Sequence, residues 1–322
     1  STEHKSSQFI RSSINNHRWF GLLSTYNHET SKELTLSGGI DLRHYTGQHY
    51  REVYDLLGGD YYVANENVSA SDSTAVIRKG DKFSYHNDGL VKWAGLFQQM
   101  EYKAGNWSAF VNLSLSNTGY KRIDYFKPQD LVLSDTTYVQ ALSYGDTINH
   151  NGTDYTLDSK EARATESDWK WIPGYTIKTG LNYNIDEYNN AFMNIGYLEK
   201  APKFNNIFDY DNQLFKNIRN EKVSAIELGH SFQSSRISTN LNLYYTNWKN
   251  KPESGSTVVD GETIKYNING IDALHQGLEF DASINVSSSI TFQVLSSIGD
   301  WRWTSGDTIR SYDDNNNLLG TD

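Results

Sequence analysis

The sequence predicts an all-β chain that folds as an antiparallel transmembrane β-barrel. Three observations carry this expectation: apolar and polar residues alternate over unusually long stretches, helical periodicity is almost absent, and short connections alternate strictly with long ones.

About ten strands can be traced, and a β-strand with one apolar and one polar face explains each. The first, near 17–28, and the third, near 90–103, alternate poorly. In the second, near 33–43, Leu34, Leu36, Ile40 and Leu42 oppose Thr35, Ser37, Asp41 and Arg43. The fourth, near 106–117, is the clearest. There Trp107, Ala109, Val111, Leu113 and Leu115 share one parity and Ser108, Asn112, Ser114 and Ser116 the other, with only Phe110 out of place.

The fifth, near 174–185, sets Tyr175, Ile177, Leu181, Tyr183 and Ile185 against Thr176, Lys178, Asn182 and Asn184. A sixth near 190–199 and a seventh near 222–233 follow. In the eighth, near 236–248, Ile237, Leu241, Leu243 and Tyr245 oppose Ser238, Asn240 and Asn242. In the ninth, near 274–286, Leu278, Phe280, Ala282, Ile284 and Val286 oppose Glu279, Asp281, Ser283 and Asn285, and a tenth lies near 289–300. Leu36, Val111, Leu243 and Phe280 are therefore expected to meet hydrocarbon.

Ten residues at about 3.3 Å each, tilted by about 40°, rise roughly 25 Å, the height of the apolar band on an outer-membrane barrel. Strands of soluble sheets average about 5–6 residues. Short turns fall near Thr30-Ser31, Ala104-Gly105, Glu187-Tyr188, Ser234-Ser235 and Ser287-Ser288, and long connections near 44–89, 120–173, 200–220 and 249–272. Periplasmic turns and extracellular loops differ in this way, whereas a β-sandwich has no reason to lengthen every second connection.

Composition narrows the alternatives. No stretch approaches the roughly 20 apolar residues of a spanning helix, and a mean hydropathy of -0.65 suits a wall in which only alternate residues face lipid. The 8 Trp, 22 Tyr and 13 Phe argue against disorder. With no cysteine, disulfides and thiolate chemistry are excluded. A formal charge of -10 disfavours nucleic acid, whose phosphates it would repel. Aromatics near strand ends, at Trp19-Phe20, Trp107, Tyr244-Tyr245, Trp248, Trp301 and Trp303, suit an interfacial girdle and equally the caps of a soluble core.

Several stretches resemble the C-terminal barrel of TonB-dependent outer-membrane receptors, in the form common among Bacteroidetes. They are 38–47, GGIDLRHYTG, continuing to Asp55-Leu56-Leu57-Gly58-Gly59; 198–208, LEKAPKFNNIF; and Asn220-Glu221-Lys222-Val223 with Glu227-Leu228-Gly229. The series continues through 242–250, NLYYTNWKN, to 270–280, GIDALHQGLEF. The resemblance implies a 22-stranded barrel in a Gram-negative outer membrane, plugged by an N-terminal domain. It further implies import of a scarce nutrient (ferric siderophore, haem, cobalamin or oligosaccharide) powered through TonB with ExbB and ExbD. A small-molecule or glycan ligand, outer-membrane lipid and a surface lipoprotein complete the partners so implied. The chain, read as a partial barrel domain over 1–322, departs from that pattern in lacking the plug, a TonB-contact segment and the final aromatic strand. A fragment or a processed chain is expected.

Candidate ligand contacts lie in the long connections. Trp169 and Trp171 can stack on a ligand ring or anchor at the membrane interface. Phe208, Asp209, Tyr210 and Asp211 place two carboxylates beside rings, a spacing that hard-cation loops use, although the distal Glu of an EF-hand is missing and calcium is a minor reading. Asp313-Asp314-Asn315 is a weaker version. His44 and His49 can ligate a metal or haem, or simply be solvated. Asp41, Arg43, Glu279 and Asp281 have the parity of the wet face, where they line the lumen or pair with one another. No resident metal or cofactor is expected. No G-x-S-x-G elbow, H-E-x-x-H helix or phosphate-cradling glycine loop is present, so an enzyme is not expected. The competing reading is a secreted or surface-attached all-β glycan-binding protein, resting on aromatic loops and low hydropathy; a barrel hydrolase is a third, without an assignable triad.

Overall fold

The computed structural model describes residues 3–63, 76–208, 214–215, 218–259, 262–305, 309–312 and 318–321. Ten long strands succeed one another: β1 Ile10–Glu29, β2 Leu34–Asp55, β3 Lys82–Ala104, β4 Trp107–Asp124, β5 Lys170–Asn184, β6 Asn189–Lys200, β7 Glu221–Gln233, β8 Ile237–Val259, β9 Glu262–Ser287 and β10 Ile290–Trp303. Their lengths run from 12 to 26 residues. Each pairs antiparallel with its neighbour in sequence, so order in the sheet is order in the chain. Residues 165–166, 309–312 and 318–321 add to the same 13-stranded sheet. Among the described residues no helix is long and apolar enough to cross a membrane.

The five short turns fall where expected, and each closes by local chemistry. Ser31 Oγ accepts from the N–H of Glu33 at 3.1 Å and of Leu34 at 3.2 Å. Gly105, at φ +56°, takes the left-handed conformation that a two-residue turn between β3 and β4 demands. Asp186 accepts from the N–H groups of Tyr188 and Asn189, both at 2.8 Å. The Asn189 side-chain amide, foremost, and these N–H groups hold the Asp186 carboxyl below its ordinary range.

The opposite ends differ from expectation. β2 continues to Asp55, β3 starts at Lys82 and β4 runs to Asp124. The expected loop 249–272 is instead the upper half of the β8–β9 hairpin, which reaches Val259 and Glu262. Above the band neither face meets lipid, so alternation has no cause there, while ladder hydrogen bonding continues. Bulges mark the change: register shifts fall between Tyr50 and Arg51 and between Trp248 and Pro252, where proline cannot donate. The connection 125–169 carries its own small sheets, Gln129–Val132 with Thr137–Leu142 and Ala162–Arg163, and Ile148–His150 with Thr153–Tyr155.

The register separates the two faces. Leu36, Met100, Val111, Thr179, Ile195, Ile226 and Tyr245 form one continuous row across β2 to β8. On β8 and β9, Leu243 faces Leu278 and Leu241 faces Phe280 on that same side. This face is open: Leu113 is 45%, Leu115 62% and Leu243 47% exposed. Among the described residues no protein layer covers it, so Leu36, Val111, Leu243 and Phe280 line an apolar wall rather than a sealed core. Packed cores are instead confined to the loop end, where Val53, Leu56, Ile77 and Phe83 gather with Phe9 and Tyr62.

An arginine at Val111, in the middle of the apolar stretch Trp107–Leu115 of β4, is expected to destabilise the folded wall by about 2–4 kcal/mol, and an arginine at Ser114 on the polar face by no more than about 1 kcal/mol. Urea titration of the two variants in lipid vesicles measures the difference.

Candidate functional site

The face opposite the apolar wall is polar, and its side chains pair along the strands. Arg43 donates to Asp41 from Nε to Oδ1 at 2.8 Å and from Nη2 to Oδ2 at 2.5 Å. The guanidinium also lies 5.9 Å from the Trp19 ring centroid. On the far side of the sheet, Asn240 donates to Asp281 at 2.9 Å, and Glu279 stands between Asn242 and Ser297 in the ladders. Glu227, Asn194 and Asn242 join this surface: the Glu227 carboxylate accepts from Asn194 at 3.1 Å and from Asn242 at 2.7 Å. Strand parity placed Asn242 there, but only the register brings it to Glu227 and Asn194.

At the loop end, the segment after β6 folds back over the polar face. Tyr120, Ile172, Ile207 and Phe208 are buried together, with Val91, Ala201, Phe204 and Ile218 packed around them. Val91, Tyr120 and Ile172 have polar-face parity on β3, β4 and β5, so the wall turns apolar where this segment docks. Tyr120 donates its hydroxyl to the Pro202 carbonyl at 2.8 Å, and Lys200 pairs with Glu221 at 3.0 Å. Phe208, expected as a ligand contact, is only 4% exposed and serves packing. Asp209, Tyr210 and Asp211, with the calcium reading built on them, lie outside the described residues, as do Asp313, Asp314 and Asn315.

Trp171 sits on the apolar side. In the register it lies in one row with Phe20, His44, Lys92 and Gly119, directly above the row of Leu22, Leu42 and Ala94. It stacks on Trp169, centroids 5.8 Å apart, and Lys92 Nζ lies 4.4 Å from the Trp169 centroid. Of the two readings of this pair, the observed face is the one that interfacial anchoring requires.

Only three of the eight rings of the expected girdle point to the apolar side. Phe20, Trp107 and Tyr245 lie on the apolar face, but Trp19, Tyr244, Trp248, Trp301 and Trp303 lie on the polar one. Adjacent residues of a strand point to opposite sides, so Trp19-Phe20 and Tyr244-Tyr245 cannot both anchor in lipid. On the polar face Trp301 Nε1 donates to Tyr244 Oη at 2.8 Å, across Gly277 and Gly299, where a Cβ would meet those rings. Beside them Lys251 Nζ lies 5.5 Å from the Trp248 centroid and 5.3 Å from that of Trp303. A basic group between indoles on a water-facing wall suits an anionic or aromatic ligand. Among the described residues no three His, Cys, Asp or Glu side chains gather as metal ligands.

A tall meander with an open apolar face, a paired polar face and a loop packed over one end of the latter defines the wall of an outer-membrane β-barrel receptor. The chain belongs to the family described as TonB dependent receptor-like, beta-barrel, whose model matches residues 2–322. Solved structures share the fold at low identity. They include the copper transporter OprC (12% identity, TM-score 0.61, covering 94% of this chain and 41% of that one). The closed form of the ferric-catecholate import receptor Fiu from E. coli K12 matches at 13% identity and TM-score 0.51, covering 94% and 42%. The FrpB iron transporter from Neisseria meningitidis matches at 11% and 0.53, covering 92% and 40%. The chain thus spans less than half the length of these structures. Comparison with curated protein sequences gives no match. Family membership locates the wall in the outer membrane of a Gram-negative bacterium.

Replacing Phe208 with alanine removes the ring that seals the docked segment, a cost of about 3–5 kcal/mol for a buried phenylalanine. Trypsin is expected to cleave at exposed Lys203 at least tenfold faster in this variant, while the barrel keeps its heat-dependent gel mobility.

Proposed function

We propose that this chain is part of the barrel of a TonB-dependent importer that takes up a scarce nutrient across the outer membrane. The observation that carries the reading is the family match along residues 2–322 joined to a sheet with one lipid-type and one water-type face. Polar-face aromatics and cations near the loop end, with Lys251, Trp248 and Trp303 foremost, are the surface on which a ligand is expected to be caught. Similar folds named for copper, ferric-catecholate and iron transport support a metal or metal complex ahead of a glycan.

Two edges of the sheet support a larger assembly. Among the described residues β1 and the lower part of β10 each have one bare edge, and unpaired N–H and C=O groups in hydrocarbon cost several kcal/mol each. Further strands closing a 22-stranded barrel, with a plug inside, would satisfy them. TonB with ExbB and ExbD would supply the energy, and a surface lipoprotein would help to deliver ligand.

Deletion of the gene is expected to abolish uptake of the cognate nutrient at limiting concentration, and deletion of tonB to do the same. Radiolabelled uptake of ferric siderophore, copper, haem, cobalamin and oligosaccharide in both strains measures this. Uptake of all five at wild-type rates in the gene deletion would reject the proposal.

A further inference from the structure

The sequence paired His44 with His49, but strand parity sends them to opposite faces. The register brings a different histidine to His49. On the polar face β1 and β2 set Asn15 against His49, His17 against Gly47 and Trp19 against Tyr45. We propose that His17, Tyr45 and His49 form a binding site for a first-row divalent transition-metal ion, copper(II) held most tightly. The inference goes beyond the import reading and does not depend on it, because binding is measured without transport.

Four observations support the site. First, the donor atoms converge over Gly47: a Cβ there would lie 2.5 Å from Tyr45 Oη and 2.9 Å from His49 Nε2, so the missing side chain lets both donors approach one point. Second, His17 Nδ1 and Tyr45 Oη are 2.6 Å apart. Two adjacent donors on one ion, each bonded at about 2.0 Å, stand about 2.8 Å apart, so an ion can replace the shared proton with little movement.

Third, His49 Nδ1 lies 2.7 Å from Asn15 Oδ1. An amide oxygen only accepts, so Nδ1 carries the hydrogen and Nε2 keeps its lone pair for a metal, the orientation that a carbonyl partner gives a ligating histidine. Fourth, the His17 and His49 ring centroids are 5.7 Å apart. A ligating imidazole centroid sits roughly 3.2 Å from its metal, so two rings on one ion span up to about 6.4 Å. The observed spacing falls within that limit.

Two imidazoles and a phenol, with no carboxylate among them, suit a borderline cation rather than calcium or magnesium. Copper(II) leads the first-row order for nitrogen donors. The residues lie beyond Leu42, the last apolar-band side chain of β2, on a surface open to water.

Titration of the full chain in detergent with copper(II), followed by calorimetry, electron paramagnetic resonance and visible absorption, tests the site. One saturable ion is expected, with hyperfine structure from two imidazole nitrogens and a phenolate-to-copper charge-transfer band. His17→Ala and His49→Ala should each raise Kd at least tenfold, Tyr45→Phe should remove the band, and His44→Ala, on the other face, should change neither. The wild-type spectrum is read without reliance on any variant's folding. A wild-type protein with no saturable copper, a spectrum without imidazole nitrogens, or an unchanged Kd in the His17→Ala/His49→Ala double variant would overturn the proposal.

Discussion

The architecture follows from one constraint: inside hydrocarbon no water is present to satisfy the peptide N–H and C=O groups, so the backbone must satisfy itself. A meander of antiparallel strands meets that demand with the shortest connections, and the ladders here run without interruption through the apolar band, as from Leu34–Tyr102 to Tyr50–His86. Once the ladder is fixed, side-chain direction is fixed with it. Alternate residues must dissolve in lipid and the others must be content in water, which is why Leu113 and Ser114 are neighbours in sequence and live in different solvents.

That same constraint explains what could be read from the residues. Trp107–Ser116 alternates because lipid enforces it, and the short turns were visible because Gly105, Asp186 and Ser234 are the residue types that close tight reversals. Above the band the constraint lapses. Residues 249–259 and 262–272 lose alternation yet stay paired, so a hairpin was taken for a loop. The aromatic dipeptides misled for the opposite reason, since ring count near a strand end says nothing about which ring faces lipid, whereas parity does. Partners across strands, such as Glu227 with Asn242 or His17 with Tyr45, depend on register, which no single strand encodes.

The polar face is less uniform than its composition suggests. Near the periplasmic turns it is knitted by amide and carboxylate pairs. Rings lie across glycines at both ends of the wall, Phe192 over Gly229 near the turns and Trp301 over Gly299 toward the loops. A Cβ at those positions would push the rings away, so small residues on one strand and large ones on the next make a smooth aromatic surface. At the loop end the segment holding Ile207 and Phe208 is folded inward over Tyr120 and Ile172.

The chain has no cysteine of its own, so single cysteines carrying spin labels can be introduced along β4 from Ser108 to Ser116 and probed in lipid vesicles with oxygen, which partitions into the bilayer, and with a water-soluble nickel chelate. Accessibility should oscillate with a period of two residues, oxygen reaching Ala109, Val111, Leu113 and Leu115 and nickel reaching the labels between them. Labels at Val111 and Leu113 shielded from both reagents, or reached by nickel as readily as Ser114, would contradict a lipid-facing wall.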